Sequence, residues 1–127
     1  MAGEKSNEEI FTSVLDIWKH GIDVHDTTEI GSTFAEDAIF QGGHPDPSRG
    51  RDAVVAYYDP EPLTGVEYEI IDARRSADNV IVGYATAHFE FPGDTPTVHR
   101  HVTMVLERTG EQWLIGHYHV SLIPAPH

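Results

Sequence analysis

The chain has 127 residues, enough for one domain around one core, and it shows neither a cationic leader followed by an apolar run nor any stretch of ~18 apolar residues. It contains no cysteine, which excludes disulfides, thiolate metal sites and a thiol nucleophile and fits a reducing, cytoplasmic setting. Its 21 Asp and Glu against 8 Lys and Arg give a formal charge of -13, which would repel a phosphate backbone, so neither nucleic acid nor a membrane is expected as partner.

Ser6 followed by Glu9 matches a capping box, and Ile10, Val14, Ile17 and Trp18 recur at helical spacing, which predicts a helix over residues 7 to 25. Asp26 and Glu29 repeat the cap, predicting a short helix over 27 to 35 that completes a helical hairpin. Residues 38 to 41 read as a short strand, GGHPDPSRG at 42 to 50 as a loop, and 51 to 58 as a third helix stopped by Pro60 and Pro62. From Val66 the period becomes that of strands, with runs at about 66 to 75, 80 to 91, 97 to 108 and 112 to 122. The breaks SADN, PGDTP and RTG suit hairpins, so the expected class is α+β: a curved, mostly antiparallel sheet wrapped over N-terminal helices.

A three-residue loop at Arg108, Thr109 and Gly110 would set His101 opposite His117, His99 opposite His119, Arg100 opposite Tyr118 and Met104 opposite Leu114. The preceding hairpin would set His88 opposite Arg100 and Thr86 opposite Val102. The even-numbered face is then largely apolar and covers the helices, interrupted by one row of His88, Arg100 and Tyr118. The odd-numbered face carries Trp113, Ile115 and the quartet His99, His101, His117 and His119, a mixture that suits an interface between two copies. Two His-x-His units on neighbouring strands also have the spacing of zinc ligands, but the expectation adopted is an interface, with no metal and no cofactor.

The segment VTMVLERTGEQWLIGHYHVSLIP resembles the end of nuclear transport factor 2-like proteins, and FAEDAIF and GRDAVVAYY match earlier pieces in the expected order. The likenesses lie with the SgcJ/EcaC-like and SnoaL-like branches and with the association domain of calmodulin-dependent kinase II. The resemblance implies a cone-shaped fold, dimers through the outer sheet face, and a pocket between helices and sheet. It does not imply one activity, because the superfamily includes isomerases, cyclases, epoxide hydrolases, binders and assembly domains. Tyr118 stands where SnoaL-like cyclases carry a catalytic carboxylate, and Thr86, Met104 and Val120 stand where the kinase domain carries pocket arginines, so neither charged site is carried over.

The row His88, Arg100 and Tyr118 places a base, a fixed cation and a phenol on an apolar wall, a pattern suited to a small-molecule site. In a catalytic reading His88 is the base, Arg100 holds an oxyanion and Tyr118 is an orienting acid. In a structural reading Arg100 is neutralised by Glu90 or Asp72 within a buried network. Trp18, Phe40, Tyr57, Tyr58 and Tyr84, with Thr86 and Met104, are expected to line the pocket, although aromatics at such spacing also build ordinary cores. His44 in the 42 to 50 loop either guards a cavity mouth or is solvated. The expected function is a pocket protein for a small hydrophobic, polyketide-like molecule of bacterial specialised metabolism. It acts as a cofactor-free isomerase, cyclase or hydratase, with a non-catalytic ligand binder or a homo-oligomeric assembly domain as the alternatives.

Overall fold

The computed structural model describes residues 5–124. In chain order the elements are α1 (Asn7–Asp23), α2 (Thr27–Ser32), β1 (Phe34–Gln41), β2 (Ser48–Arg49), α3 (Arg51–Tyr58), β3 (Gly65–Ala77), β4 (Val80–Glu90), β5 (Val98–Thr109) and β6 (Gln112–Leu122). The six strands form one sheet in the order β2-β1-β6-β5-β4-β3. Every neighbouring pair is antiparallel except β1 with β6, which is parallel. The helices lie on one face of this curved, unclosed sheet, the α+β arrangement expected. Among the described residues no helix is long and apolar enough to cross a membrane.

Local chemistry explains the helix starts. The Ser6 hydroxyl accepts from the Glu9 N–H at 3.1 Å while the Glu9 carboxylate accepts from the Ser6 N–H at 2.9 Å, completing the capping box. Asp26 caps α2 through the Glu29 N–H at 3.1 Å. Tertiary pairing shortens α2 relative to expectation. The Ile115 N–H donates to the Thr33 carbonyl at 2.7 Å and Phe34 pairs with Ile115, so β1 begins where helix was predicted. The ladder to β6 is interrupted between Phe34 and Ile39, and exposed Glu36 and Asp37 occupy that gap.

The long hairpins differ from expectation in register, and packing gives the reason. Between β4 and β5, Ala87 faces Arg100 and His88 faces His99, a slip of one residue that exchanges the two faces of β4. Ile81, Ala85, Ala87 and Phe89 therefore turn inward and Tyr84, Thr86 and His88 outward. Gly83 requires this choice, because a Cβ there would stand 2.5 Å from the Phe11 ring, which crosses the strand at that point. Between β5 and β6 the turn has two residues, with Thr109 facing Gln112 and Gly110 at φ +65°, the glycine-first hairpin that matches strand twist. The register then shifts by one residue near Gly116, where Val105 faces His117 but Leu106 faces Ile115. Ile115, expected on the outer face, is fully buried in the core, and Trp113 packs against the core's edge. Past the bulge His117 and His119 still face outward, so that part of the outer face stands as expected although none of its predicted cross-strand partners does.

Candidate ligand-binding site

A cavity of about 220 Å³ opens at the end of the sheet where β4 finishes and β5 begins. Its walls are apolar: Phe89 and Phe91 at the end of β4, Val98 on β5, Val120 on β6, and Leu63 from the segment after α3. Four sets of polar groups converge on this lining: Arg100 from β5, Tyr118 from β6, Tyr57 and Tyr58 from the last turn of α3, and the pair His44 and Glu61. The alternation of β5 aims Arg100 inward beside Val98 and Val102, and the bulge near Gly116 allows Tyr118 to follow Ile115 into the interior.

An aromatic stack holds the floor. Phe40 lies on Tyr118 with ring centroids 4.5 Å apart and planes 11° from parallel, while Trp18 meets Phe89 edge-on at 6.0 Å. Each such pair contributes about 0.5–1.5 kcal/mol beyond the area it buries. The Trp18 indole N–H donates to the Tyr58 hydroxyl at 3.3 Å. Because Tyr58 accepts in that bond, its own O–H remains able to donate. Burial raises the pKa of both phenols above the ordinary tyrosine value, so both stay neutral donors at physiological pH. Tyr57 is raised by burial too, countered by the Gly43 N–H, which donates to its hydroxyl at 2.8 Å and ties the 42 to 47 loop to α3.

Arg100 donates to its neighbour's carbonyl, His99 O, at 2.8 Å, and among the described residues no carboxylate lies within ion-pair distance of it. Neutralisation by Glu90 or Asp72, the structural alternative, does not occur. At the mouth, His44 Nε2 lies 3.0 Å from Glu61 Oε1 and the His44 ring packs on Tyr57 with centroids 4.8 Å apart. The arrangement offers a cation, neutral hydroxyl donors and an imidazole oriented by a carboxylate around an apolar space. Such a site can hold a molecule with one anionic or enolisable oxygen.

Of the residues singled out in the sequence, Arg100, Tyr118, Tyr57 and Tyr58 line the cavity. Trp18 and Phe40 stand one layer behind, orienting Tyr58 and Tyr118, and Met104 is fully buried core away from the opening. His88, Tyr84 and Thr86 are corrected: the one-residue slip carries them to the outer face, outside the cavity. Sequence reasoning missed Glu61, Leu63, Phe89, Phe91 and Val98. Glu61 was hidden because the stretch DPEPL reads only as a helix stop. The odd-numbered Phe89 and Phe91 would have been found had the Gly83–Phe11 contact fixed the faces.

Residues 12–126 match the SnoaL-like domain family. The chain belongs to it. No curated protein matches this SnoaL-like domain. Its fold is similar to that of a Xanthomonas campestris chain assigned to the calcium/calmodulin-dependent protein kinase II association domains, with 17% identity, 98% of this chain and 92% of that one covered, and a TM-score of 0.81. A nuclear transport factor 2-like protein of unknown function from Shewanella oneidensis MR-1 matches with 13% identity, 91% and 98% coverage and a TM-score of 0.76. A ketosteroid isomerase-like protein from Erwinia carotovora atroseptica matches with 12% identity, 96% and 100% coverage and a TM-score of 0.77. At such identities these likenesses carry the cone fold, as the sequence led us to expect, and no activity.

The outer face of the SnoaL-like domain gathers five histidines. His88 and His99 face each other with their Nδ1 atoms 2.6 Å apart, and His88 Nε2 reaches both Glu69 carboxylate oxygens at 3.1 Å. His101 lies against Tyr84 with ring centroids 5.5 Å apart, and His117 and His119 sit 6.3 Å apart on β6. Among the described residues no group of three or more His, Asp or Glu is disposed to hold a metal ion.

Proposed function

We propose that this SnoaL-like domain binds a small, largely apolar carbonyl compound of one or two rings, polyketide-like in character. We further read the site as moving a proton on that compound without a cofactor, in an isomerisation, cyclisation or hydration. The observation that carries this reading is the convergence of His44–Glu61, the carboxylate-free Arg100 and the Tyr58 and Tyr118 hydroxyls on one apolar cavity. The volume of about 220 Å³ favours a ligand smaller than the drug-sized molecules that fill roughly 300–1,000 Å³ sites. With its Nε2–H donated to Glu61, His44 keeps a lone pair on Nδ1 to take a proton from the carbon beside the carbonyl, and the carboxylate stabilises the imidazolium formed. Arg100 and the Tyr58 O–H stabilise the enolate oxygen until the proton returns at a second carbon. The base is thus His44, in place of the His88 expected from sequence.

Binding without turnover is the second reading, and one observation favours it: the His44 side chain is 61% exposed, a wet setting for a base. Two measurements separate the readings. Adding the protein to 4-nitrophenol at about pH 6 should raise the phenolate absorbance, because a site built for an oxyanion lowers the bound phenol's pKa. Deuterium exchange beside the carbonyl of 2-tetralone, followed by NMR, should be accelerated and should fall by about 10²-fold in His44→Ala. An unchanged nitrophenol spectrum sinks the oxyanion site altogether; a changed spectrum with no exchange leaves a binder.

The outer face suggests a second copy of the chain as partner, with Ile39, Tyr84, Val105 and the histidines meeting their equivalents across a two-fold axis. The charged and titratable groups on that face are Glu67, Glu69, Asp72 and Arg74 of β3, Tyr84 and His88 of β4, His99, His101 and Glu107 of β5, and His117 and His119 of β6. Val105→Asp would set a carboxylate in the middle of that contact, so self-association should weaken. Sedimentation velocity showing a monomeric parent protein would remove the interface, and an undiminished dimer in Val105→Asp would move it off this face.

A further inference from the structure

A second cavity, of about 530 Å³, lies at the opposite end of the sheet, between α1 and the β5–β6 hairpin, and shares no lining residue with the first. Its floor is apolar: Ile10, Val14 and Ile17 of α1, with Trp113 of β6. Ile17 is 47% exposed, a large aliphatic side chain facing open space within the cleft. The rim is cationic. Lys5, Arg75 and Arg108 line it, three of the chain's 8 Lys and Arg, against the single carboxylate of Glu111. In a chain of charge -13 this is a local reversal of sign.

The two guanidinium groups are positioned on the same indole. Arg75 lies 5.2 Å and Arg108 5.8 Å from the Trp113 ring centroid. Arg75 is further fixed by donating to Asn7 Oδ1 at 2.9 Å and to the Asp78 carbonyl at 3.0 Å. Among the described residues neither arginine is paired with a carboxylate. An apolar trough edged by oriented cations matches a molecule with a hydrocarbon body and one anionic head. We infer that this cleft is a second binding site, for a small amphiphilic carboxylate whose body lies on Val14 and Ile17 and whose head meets Arg108 and Arg75. It is independent of the chemistry assigned to the first cavity.

Trp113 makes the site observable, because the chain has two tryptophans and the other, Trp18, is fully buried. Titrating the protein with octanoate should change Trp113 emission with saturation below about 1 mM, while uncharged octanamide should bind at least about 10-fold more weakly. Arg108→Met should weaken octanoate at least about 10-fold, and Ile17→Glu, at an exposed position that leaves the core intact, should abolish the response. Arg100→Met, in the other cavity, should leave it unchanged. The inference is overturned if octanoate and octanamide bind alike, if Arg108→Met and Ile17→Glu, folded by circular dichroism, titrate like the parent protein, or if the response disappears only with Arg100→Met.

Discussion

Replacing Arg100 with Met should lower affinity for 4-nitrophenolate by about 10²-fold and leave the melting temperature nearly unchanged. A charged hydrogen-bonding group that loses its partner in a partly dry site costs about 2–5 kcal/mol, and the lower end of that range is already a factor of about 30. The melting temperature should hold because Arg100 forms no ion pair among the described residues, and Met keeps the apolar stem against Val98 and Val120. Equilibrium titration followed at the phenolate absorbance, with thermal unfolding in parallel, checks both halves. Unchanged affinity would mean that the cation points past the ligand. A large fall in melting temperature would mean that Arg100 is structural.

Replacing Ile115 with Asp should prevent folding. Ile115 is fully buried beneath the sheet, opposite Leu106 and Phe34, and a carboxylate there would lose hydration against these apolar partners. Removing the side chain alone, as in Ile115→Ala, should cost about 2–5 kcal/mol, and adding an unpaired buried charge costs several more, comparable to the whole stability of a domain this size. Circular dichroism and a thermal melt decide the matter. A folded, monomeric Ile115→Asp protein would return this residue to the outer face and reject the bulge near Gly116.

That contrast shows what the sequence could carry. The caps at Ser6 and Asp26, the change of period at Val66 and the likeness in the last strand were enough for the helices, the long strands and the family. Registers were not, because they depend on contacts between residues distant in the chain. Nothing near His88 reveals that Phe11, more than seventy positions earlier, needs Gly83 beneath its ring. The turn at Gly110 was located but its length was not, and the two-residue turn alone would have exchanged the faces of β6 had the bulge not restored them for His117 onward. Part of the cavity was therefore legible. Arg100, Tyr118, Tyr57 and Tyr58 keep their place under the true register, whereas the imidazole at the cavity is His44 rather than His88, on a loop whose position no periodicity encodes.

The strand order has a consequence for how the chain is made. β6, the last of these six strands to leave the ribosome, is inserted between β1 and β5 and pairs with both. Until it emerges, a nascent chain carries two open edges and Trp18, Phe34 and Phe40 without the Tyr118 ring that covers them, a state prone to pairing with other chains. The native sheet therefore cannot form in this domain before β6 has emerged, and a premature stop before Gln112 should yield an aggregation substrate rather than a smaller version of the fold.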